Sequence, residues 1–290
     1  MKTSELFGKG TVLSFEIFPP KPTADEKVIY ETLDGLSGLN PDFISVTYGA
    51  GGGNNCRKTV RIASDIKHKY GIESIAHLPC INLSENDAVC ILNQLKENEI
   101  ENILALRGDI SPDIKPNGRF HHANELIRFI YERYDFNIIA ACYPEGHPEA
   151  ANMDEDLAHL KEKVDAGCEY LTTQMFFDNN IYYRFLYKAL AKGIDVPVTA
   201  GIMPVTNVAQ VKRTISLTGN LVPAKFLSIV DRFGDNPAAM KQAGIAYATE
   251  QIIDLIANGV NHIHIYSMNK PDVAAAIMNN LSQIYVREQA

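Results

Sequence analysis

The sequence is poor in the features that mark several protein classes. It has no excess of basic residues: 27 Lys and Arg stand against 35 Asp and Glu, a formal net charge of −8. A dedicated nucleic-acid binder needs a basic surface to neutralise phosphates, so that class is disfavoured, although a local basic patch can still hold an anionic ligand. The five cysteines (Cys56, Cys80, Cys90, Cys142, Cys168) form no CxxC pair. An odd, scattered set in a chain of 290 residues reads as reduced thiols and a cytoplasmic setting. No uninterrupted apolar run approaches the ~20 residues of a membrane helix, and the opening MKTSELFGKGTVLSFEIFPP has no apolar signal core ending in a small-residue cleavage site. What remains is an ordinary globular composition, 46% hydrophobic and 21% charged, able to bury a sizeable core.

A short apolar run recurs along the chain, followed each time by an amphipathic stretch. The predicted strands are 11–18, 42–48, 73–78, 102–108, 137–144, 169–177, 197–204 and 262–268. Each is rich in β-branched or aromatic residues, as buried strands are. Predicted helices fall near 23–38, 55–70, 84–98, 121–134, 153–166, 178–192, 206–218 and 271–282, with one or two more within 219–258. Starts are marked by Ser84 with Asp87 three residues on and by Pro271-Asp272; stops by Gly38, Gly71, Gly167 and Gly193. Eight βα repeats in 290 residues predict an α/β fold, a closed (β/α)8 TIM barrel forming one domain over 1–290. The alternative is a doubly wound open sheet, but no GxGxxG turn follows the first strand.

Chemistry in such a barrel sits at the carboxyl ends of the strands. Strand one places Ser14 and Glu16 on one face. A carboxylate buried there would hold its proton more tightly, which suits an acid near neutral pH; a solvent-facing or Arg-paired carboxylate is the bland alternative. Strand two runs into the glycine-rich turn Gly49–Gly53, whose spacing is not that of a Walker loop. Arg107 and Asp109 end strand four and share a face if the strand persists. Arg107 there suits a phosphate or carboxylate, or pairs with Asp109. Tyr143, His147 and two prolines form a stiff loop after strand five, and strand six aligns Thr172, Gln174 and Phe176. Asp156, His159 and Lys163 share a helix face, a pattern that usually marks solvent. His262 and His264 read as structural histidines, so no metal is expected. No GxSxG elbow, nucleophilic cysteine context or strand-six lysine is present.

Taken together, SFEIFPP (14–20), FISVTYGAGG (43–52), AHLPC (76–80), NILALRGD (102–109), AACYPEGHPEA (140–150), KVDAGCEYLTTQMFFD (163–178), GIMPVTN (201–207) and IHIYSMNK (263–270) resemble the methylenetetrahydrofolate reductases of the short bacterial type. The resemblance covers nearly the whole chain. It implies a flavoprotein that uses FAD to reduce 5,10-methylenetetrahydrofolate to 5-methyltetrahydrofolate, with NADH (or NADPH) as donor in a ping-pong exchange. It also implies a role in one-carbon metabolism and methionine synthesis, a cytoplasmic homo-oligomer, and no room for the regulatory tail of eukaryotic relatives.

The resemblance further implies site residues. Glu16 matches the general acid, with Ser14 placed to hydrogen-bond it, and Asp109 the aspartate near flavin and pterin. For FAD the matching positions are Thr47, Tyr48, Ala50 and His77, then Arg107, Gly108 and Asp109. Ala123, Tyr143, His147, Ala150, Asp156 and Lys163 follow, so the helix face read as solvated would instead meet the cofactor. Gln174, Gln210, Tyr266 and Lys270 match substrate contacts. The chain departs from the family pattern at His159, Glu162, Thr214 and Lys270. A proline dehydrogenase-like flavin barrel is the alternative enzyme; a catalytically silent folate or flavin binder and a flavin-free lyase are the others.

Overall fold

The computed structural model describes residues 1–20, 23–48, 53–109, 118–219 and 221–285. The predicted runs form parallel strands β1 (Val12–Ile17), β2 (Phe43–Val46), β3 (Glu73–Pro79), β4 (Asn102–Leu106), β5 (Asn137–Cys142), β6 (Tyr170–Thr173), β7 (Val198–Ile202) and β8 (His262–Tyr266). Each strand pairs with the next and β8 returns to β1, so the sheet closes into a barrel rather than ending in open edges. At the closure Ser14 lies opposite His264, and Glu16 opposite Tyr266.

The outer layer is α1 (Lys27–Ser37), α2 (Gly53–Tyr70), α3 (Glu85–Glu97), α4 (Ala123–Tyr131), α5 (Met153–Asp165), α6 (Asn179–Ala191), α7 (Val208–Thr218), α8 (Ala224–Phe233), α9 (Pro237–Ala257) and α10 (Pro271–Leu281). The long connection before β8 thus holds α8 and α9. The capping box read at Ser84 and Asp87 is present and starts α3. Strand alternation separates two environments. Leu13, Phe15 and Ile17 of β1 pack outward in one apolar cluster with Leu33 of α1 and Ile277 of α10, while Ser14 and Glu16 point into the barrel, where their polar partners lie.

All strands but β3 are shorter at their carboxyl ends than the sequence suggested; β3 runs on to Pro79. β4 stops at Leu106 rather than at 108. Gly108 then takes φ +88°, and a Cβ there would come 2.8 Å from Pro79 Cβ, so both the backbone conformation and the space require glycine. β6 stops at Thr173, and the predicted alignment of Thr172, Gln174 and Phe176 breaks. Phe176 turns into the core and stacks on Tyr182 at 5.2 Å, because apolar burial outweighs continuing the strand.

Residues 1–10 carried no assignment from sequence. They form a plug at the amino ends of the strands. A 3₁₀ turn at Thr3–Leu6 inserts Thr3, whose backbone N–H donates to Asn102 Oδ1 (2.8 Å) and whose hydroxyl lies 2.9 Å from Asn137 Oδ1 and 2.8 Å from the Tyr170 hydroxyl. Leu6 and Phe7 cover an apolar layer of Val12, Phe43, Ile75, Leu104, Ile139 and Tyr170. Phe7 stacks on His262 at 4.1 Å.

Candidate active site

A cleft of 1520 Å³ opens at the other end, among the carboxyl ends of the strands. Pockets for single small ligands are typically ~300–1,000 Å³, so this one has room for a large cofactor beside a second ligand. Its lining includes Glu16, Thr47, Tyr48, His77, Arg107, Gly108, Asp109, Ala123, Tyr143, His147, Ala150, Asp156, Lys163, Gln174 and Tyr266. Residues read from separate stretches of the sequence therefore meet in one place. Ala50 and the rest of the turn at 49–52 lie outside the described residues.

Glu16 occupies the deep end. Its Oε2 lies 3.6 Å from His77 Nε2 and 3.8 Å from His264 Nε2, and its side chain is 20% exposed. Burial holds His77 below the ordinary histidine pKa, partly opposed by the Glu16 charge, and His77 Nε2 has no hydrogen-bond partner among the described residues. Ser14 does not bond Glu16 as expected; its hydroxyl meets His264 Nδ1 at 2.7 Å. The reason is the closure register, which sets Ser14 directly opposite His264 while Glu16 extends one layer higher. The loop after β8 clamps the end of β1: Ser267 Oγ donates to the Glu16 carbonyl (2.6 Å), and Asn269 accepts from Phe18 N–H (3.1 Å) and donates to the Phe18 carbonyl (2.9 Å). Met268 and Asn269 both sit at φ +53°, a conformation unusual for residues with a Cβ and sustained here by those bonds.

The wall formed by α5 carries buried charge. Asp156 is 8% exposed, and burial raises its pKa against the lowering pull of Lys163. Burial lowers the Lys163 pKa, with nearby Cys142 and Asp156 opposing. Lys163 Nζ donates to the Ala141 carbonyl at 3.0 Å and has no further hydrogen-bond partner among the described residues. A nearly buried ammonium has three donors to satisfy, so the remaining two are available to an anionic ligand in the cleft. Asp156, His159 and Lys163 thus all line the cleft, with His159 also exposed to solvent.

Arg107 does not pair with Asp109. With β4 ended at Leu106 and Gly108 turning the chain, the guanidinium instead grips Glu149 through two bonds of 2.5 and 2.7 Å. That pairing raises the Arg107 pKa and lowers that of Glu149. Asp109 is left exposed at the cleft edge. Tyr143 packs edge-on against His147 at 4.6 Å. His147 Nδ1 accepts the Glu149 backbone N–H (3.1 Å), and burial lowers its pKa, so the ring is neutral with its proton on Nε2.

The four predicted substrate residues divide. Gln174 and Tyr266 line the cleft. Gln174 Oε1 accepts from Met175 N–H (2.9 Å), which leaves the amide N–H pair as its spare donors. Tyr266 donates to the Thr173 carbonyl at 2.6 Å, and burial drives its phenol pKa well up, so it offers a ring rather than a proton. Gly201 makes room for it: a Cβ there would lie 2.7 Å from the Tyr266 hydroxyl. Gln210 and Lys270 lie outside the cleft lining, joined through Thr206, whose N–H donates to Gln210 Oε1 (2.8 Å) and whose hydroxyl accepts from Lys270 Nζ (2.9 Å). Of the departures, Glu162 is exposed and accepts from Asn124 (2.9 Å), while Thr214 is buried.

Sequence reading passed over Arg57, Asn82 and Gln94, which also line the cleft. Asn82 follows the end of β3, whereas Arg57 and Gln94 lie on α2 and α3, where no local pattern marked them. It also set His264 aside as structural, whereas the ring stands beside Glu16. Three of the cysteines are poor nucleophiles: Cys80 and Cys168 are pushed up to about 12 by burial, and Cys142 higher still. Among the described residues, no three His, Cys, Asp or Glu side chains group to hold a metal ion, and no helix is long and apolar enough to cross a membrane.

Fold and site together define an enzyme of the (β/α)8 barrel class, with a carboxylic acid at the base of a cleft built for large, partly anionic ligands. Comparison with known proteins narrows this. The family model described as methylenetetrahydrofolate reductase matches residues 3–282. The chain is 38% identical over 270 residues to the 5,10-methylenetetrahydrofolate reductase of Escherichia coli, covering 93% of this chain and 90% of that one. It is 34% identical over 289 residues to methylenetetrahydrofolate reductase (NADH) 1 of Arabidopsis thaliana, covering 94% of this chain but 49% of the plant protein. A solved structure of an uncharacterized Clostridium thermocellum protein that binds two copies of 5-methyl-5,6,7,8-tetrahydrofolic acid shares the fold, with TM-score 0.65 at 13% identity over 98% of this chain and 99% of that one. The chain belongs to the methylenetetrahydrofolate reductase family and is an oxidoreductase of that family.

Proposed function

We propose that the protein reduces 5,10-methylenetetrahydrofolate to 5-methyltetrahydrofolate in the cytoplasm, with NADH or NADPH as donor and FAD as its cofactor, donor and folate taking turns in the same cleft. The observation that carries the reading is one 1520 Å³ cleft with an acid at its base and an under-used buried ammonium, Lys163, on its wall. The residues present fit a flavin dinucleotide. Lys163 has donors to spare for a phosphate, and Asp156 beside it can accept from ribose hydroxyls. Thr47, His77, Gly108 and Tyr143 border the deeper part, where a ring system would lie. Bound there, FAD would supply a centre that takes a hydride from the nicotinamide and yields it to the folate.

The protein's own part is orientation and proton handling. Glu16 Oε2 gives a proton to a nitrogen of the folate's five-membered ring as that ring opens, a general-acid role that needs reach from the base of the cleft. Asp109 at the cleft edge offsets the positive charge that develops on the opening folate. The spare amide donors of Gln174 can read the acceptors of the pterin edge. Lys270, outside the cleft lining and fixed through Thr206, can meet the carboxylate of a folate tail that leaves the cleft, as a point charge. The test is flavin absorbance in the absence of oxygen. Adding NADH to the purified yellow protein should bleach it, and adding methylenetetrahydrofolate should restore the oxidised spectrum. Bleaching without recovery would remove the folate from the proposal, and a colourless protein that binds no FAD would remove the cofactor.

A further inference from the structure

The stiff loop after β5, with its two prolines, has a second side. There it borders a smaller pocket of 460 Å³, closed by α6 and by Gly219 and Leu221 between α7 and α8. That volume falls within the ~300–1,000 Å³ of small-ligand pockets. The lining is largely apolar: Phe185 is 1% exposed, Pro144 is buried, and Met153 and Ile181 are half-buried. Leu221 also lines it, 67% exposed and without an apolar cover.

Charge is unbalanced around this apolar lining. α6 carries Arg184, Lys188 and Lys192 four residues apart, so the three share a face. Lys192 is taken, pairing with Asp154 of α5 at 3.3 Å. Arg184 and Lys188 line the pocket, and neither makes an ion pair or a side-chain hydrogen bond among the described residues. Glu145 is the one acid of the described lining, and its Oε2 accepts the Leu221 N–H at 2.7 Å. The acids of the first turn of α5 are engaged elsewhere: Asp154 with Lys192, Glu155 with the Ala151 N–H, and Asp156 in the cleft. Unpaired cations on an open helix face are ordinary. Two of them beside a concave apolar lining, with a single acid between, make a site that favours an anion with an apolar part.

We infer that this pocket is a second ligand site, for a phosphate monoester carried on an apolar or aromatic body, and that the main cleft senses its occupant. Arg184 offers a planar fork to the phosphate oxygens and Lys188 a point charge, while the body covers Leu221 and packs on Met153 and Phe185. A phosphate monoester carries close to two negative charges at neutral pH, which matches two cations better than a carboxylate does. The sensing runs through the shared wall. His147 and Ala150 line both the pocket and the cleft. The loop between is tied into one piece by Gly146 N–H donating to the Tyr143 carbonyl and Ala150 N–H to the His147 carbonyl, each at 3.0 Å. An occupant on one side therefore alters the fit on the other, and the coupling is reciprocal. No step of the proposed folate reduction uses this pocket.

The test is calorimetric titration of the full chain with phenyl phosphate near neutral pH, against inorganic phosphate and benzoate. Phenyl phosphate should bind about fivefold or more tighter than either, because only it supplies both the dianion and the ring. Arg184→Gln with Lys188→Gln should weaken it about tenfold or more, and Arg184→Lys alone by less. Lys163→Met, in the main cleft, should leave it unchanged. A loss that follows Lys163→Met instead, equal binding of the three probes, or no saturable binding overturns the site. Saturating phenyl phosphate should also shift FAD affinity about fivefold or more, and not in the double variant. An unshifted affinity overturns the sensing. If the protein binds no FAD, the cofactor reading fails, while the titrations of the variants still decide the pocket.

Discussion

The two ends of the barrel are built on opposite principles. At the amino end, the plug of residues 3–7 seals the barrel: Thr3 meets Asn102, Asn137 and Tyr170, and Phe7 covers His262, although Asn137 Nδ2 and His262 Nε2 have no hydrogen-bond partner among the described residues. At the carboxyl end, among the described residues, His77 Nε2 has no partner and Lys163 makes one hydrogen bond, and burial drives Asp156 towards its neutral form. The same strands supply both ends. The difference is one of access: one end is closed by the chain's own first residues, while the other leaves buried polar groups facing a cleft open to ligands.

Substitutions at the two ends should therefore act on different observables. The largest effect is expected from Glu16→Gln, which keeps the shape but removes the proton. Folate-driven recovery of flavin colour should slow by about 10²- to 10⁴-fold, with the melting temperature held. A large fall in stability instead would make Glu16 part of the scaffold and erase the contrast. At the other end, Asn102→Ala strips the acceptor of the Thr3 N–H and should cost about 2–4 kcal/mol in urea unfolding, with little change in turnover by the folded protein.

His262 gives the amino end a pH signature. Burial depresses its pKa to about 4 from 6.5. The unfolded state takes up the proton first, so the stability is fully present above pH 6.5 and is lost as pH falls from there to about 4. The depressed pKa corresponds to up to about 3 kcal/mol. His262→Phe should flatten that part of the stability–pH curve, measured by unfolding midpoints from pH 7 to 4.5, and an unchanged slope would assign the acid sensitivity elsewhere.

Two changes on the cleft wall should be smaller. Lys163→Met removes the buried donors and should weaken flavin binding about 10- to 100-fold by titration calorimetry, without lowering the melting temperature of the flavin-free protein. Glu149→Gln releases Arg107 from its ion pair and should tighten flavin binding by less than about fivefold, because an exposed pair contributes little. Weaker binding would show that Glu149 serves to hold Arg107 in a useful pose.

Much of this contrast was legible in local pattern, and its gaps have physical causes. The strand at 12–17 announced itself through alternation, which also set Ser14 and Glu16 on the inner face. Lys163 was read first as solvated, because helical spacing says which residues share a face and not what that face meets. Strand ends were overestimated at Gly108 and Phe177, since apolar residues continue past the point where a turn or a core contact takes over. The amino-terminal plug was invisible, because its hydrogen bonds go to residues about a hundred or more positions away.

From the sequence alone came the eight βα repeats, the inward side of each strand, and the chemical kinds of residue carried at the strand ends, because periodicity and side-chain type are local properties. Only the tertiary structure decided who meets whom. It set Ser14 on His264 instead of Glu16, gave Arg107 to Glu149 instead of Asp109, and put Gln210 and Lys270 beside Thr206, apart from the main cleft. Those pairings follow from closing β8 against β1 and from where each chain turns after its strand, and no short window of sequence encodes either.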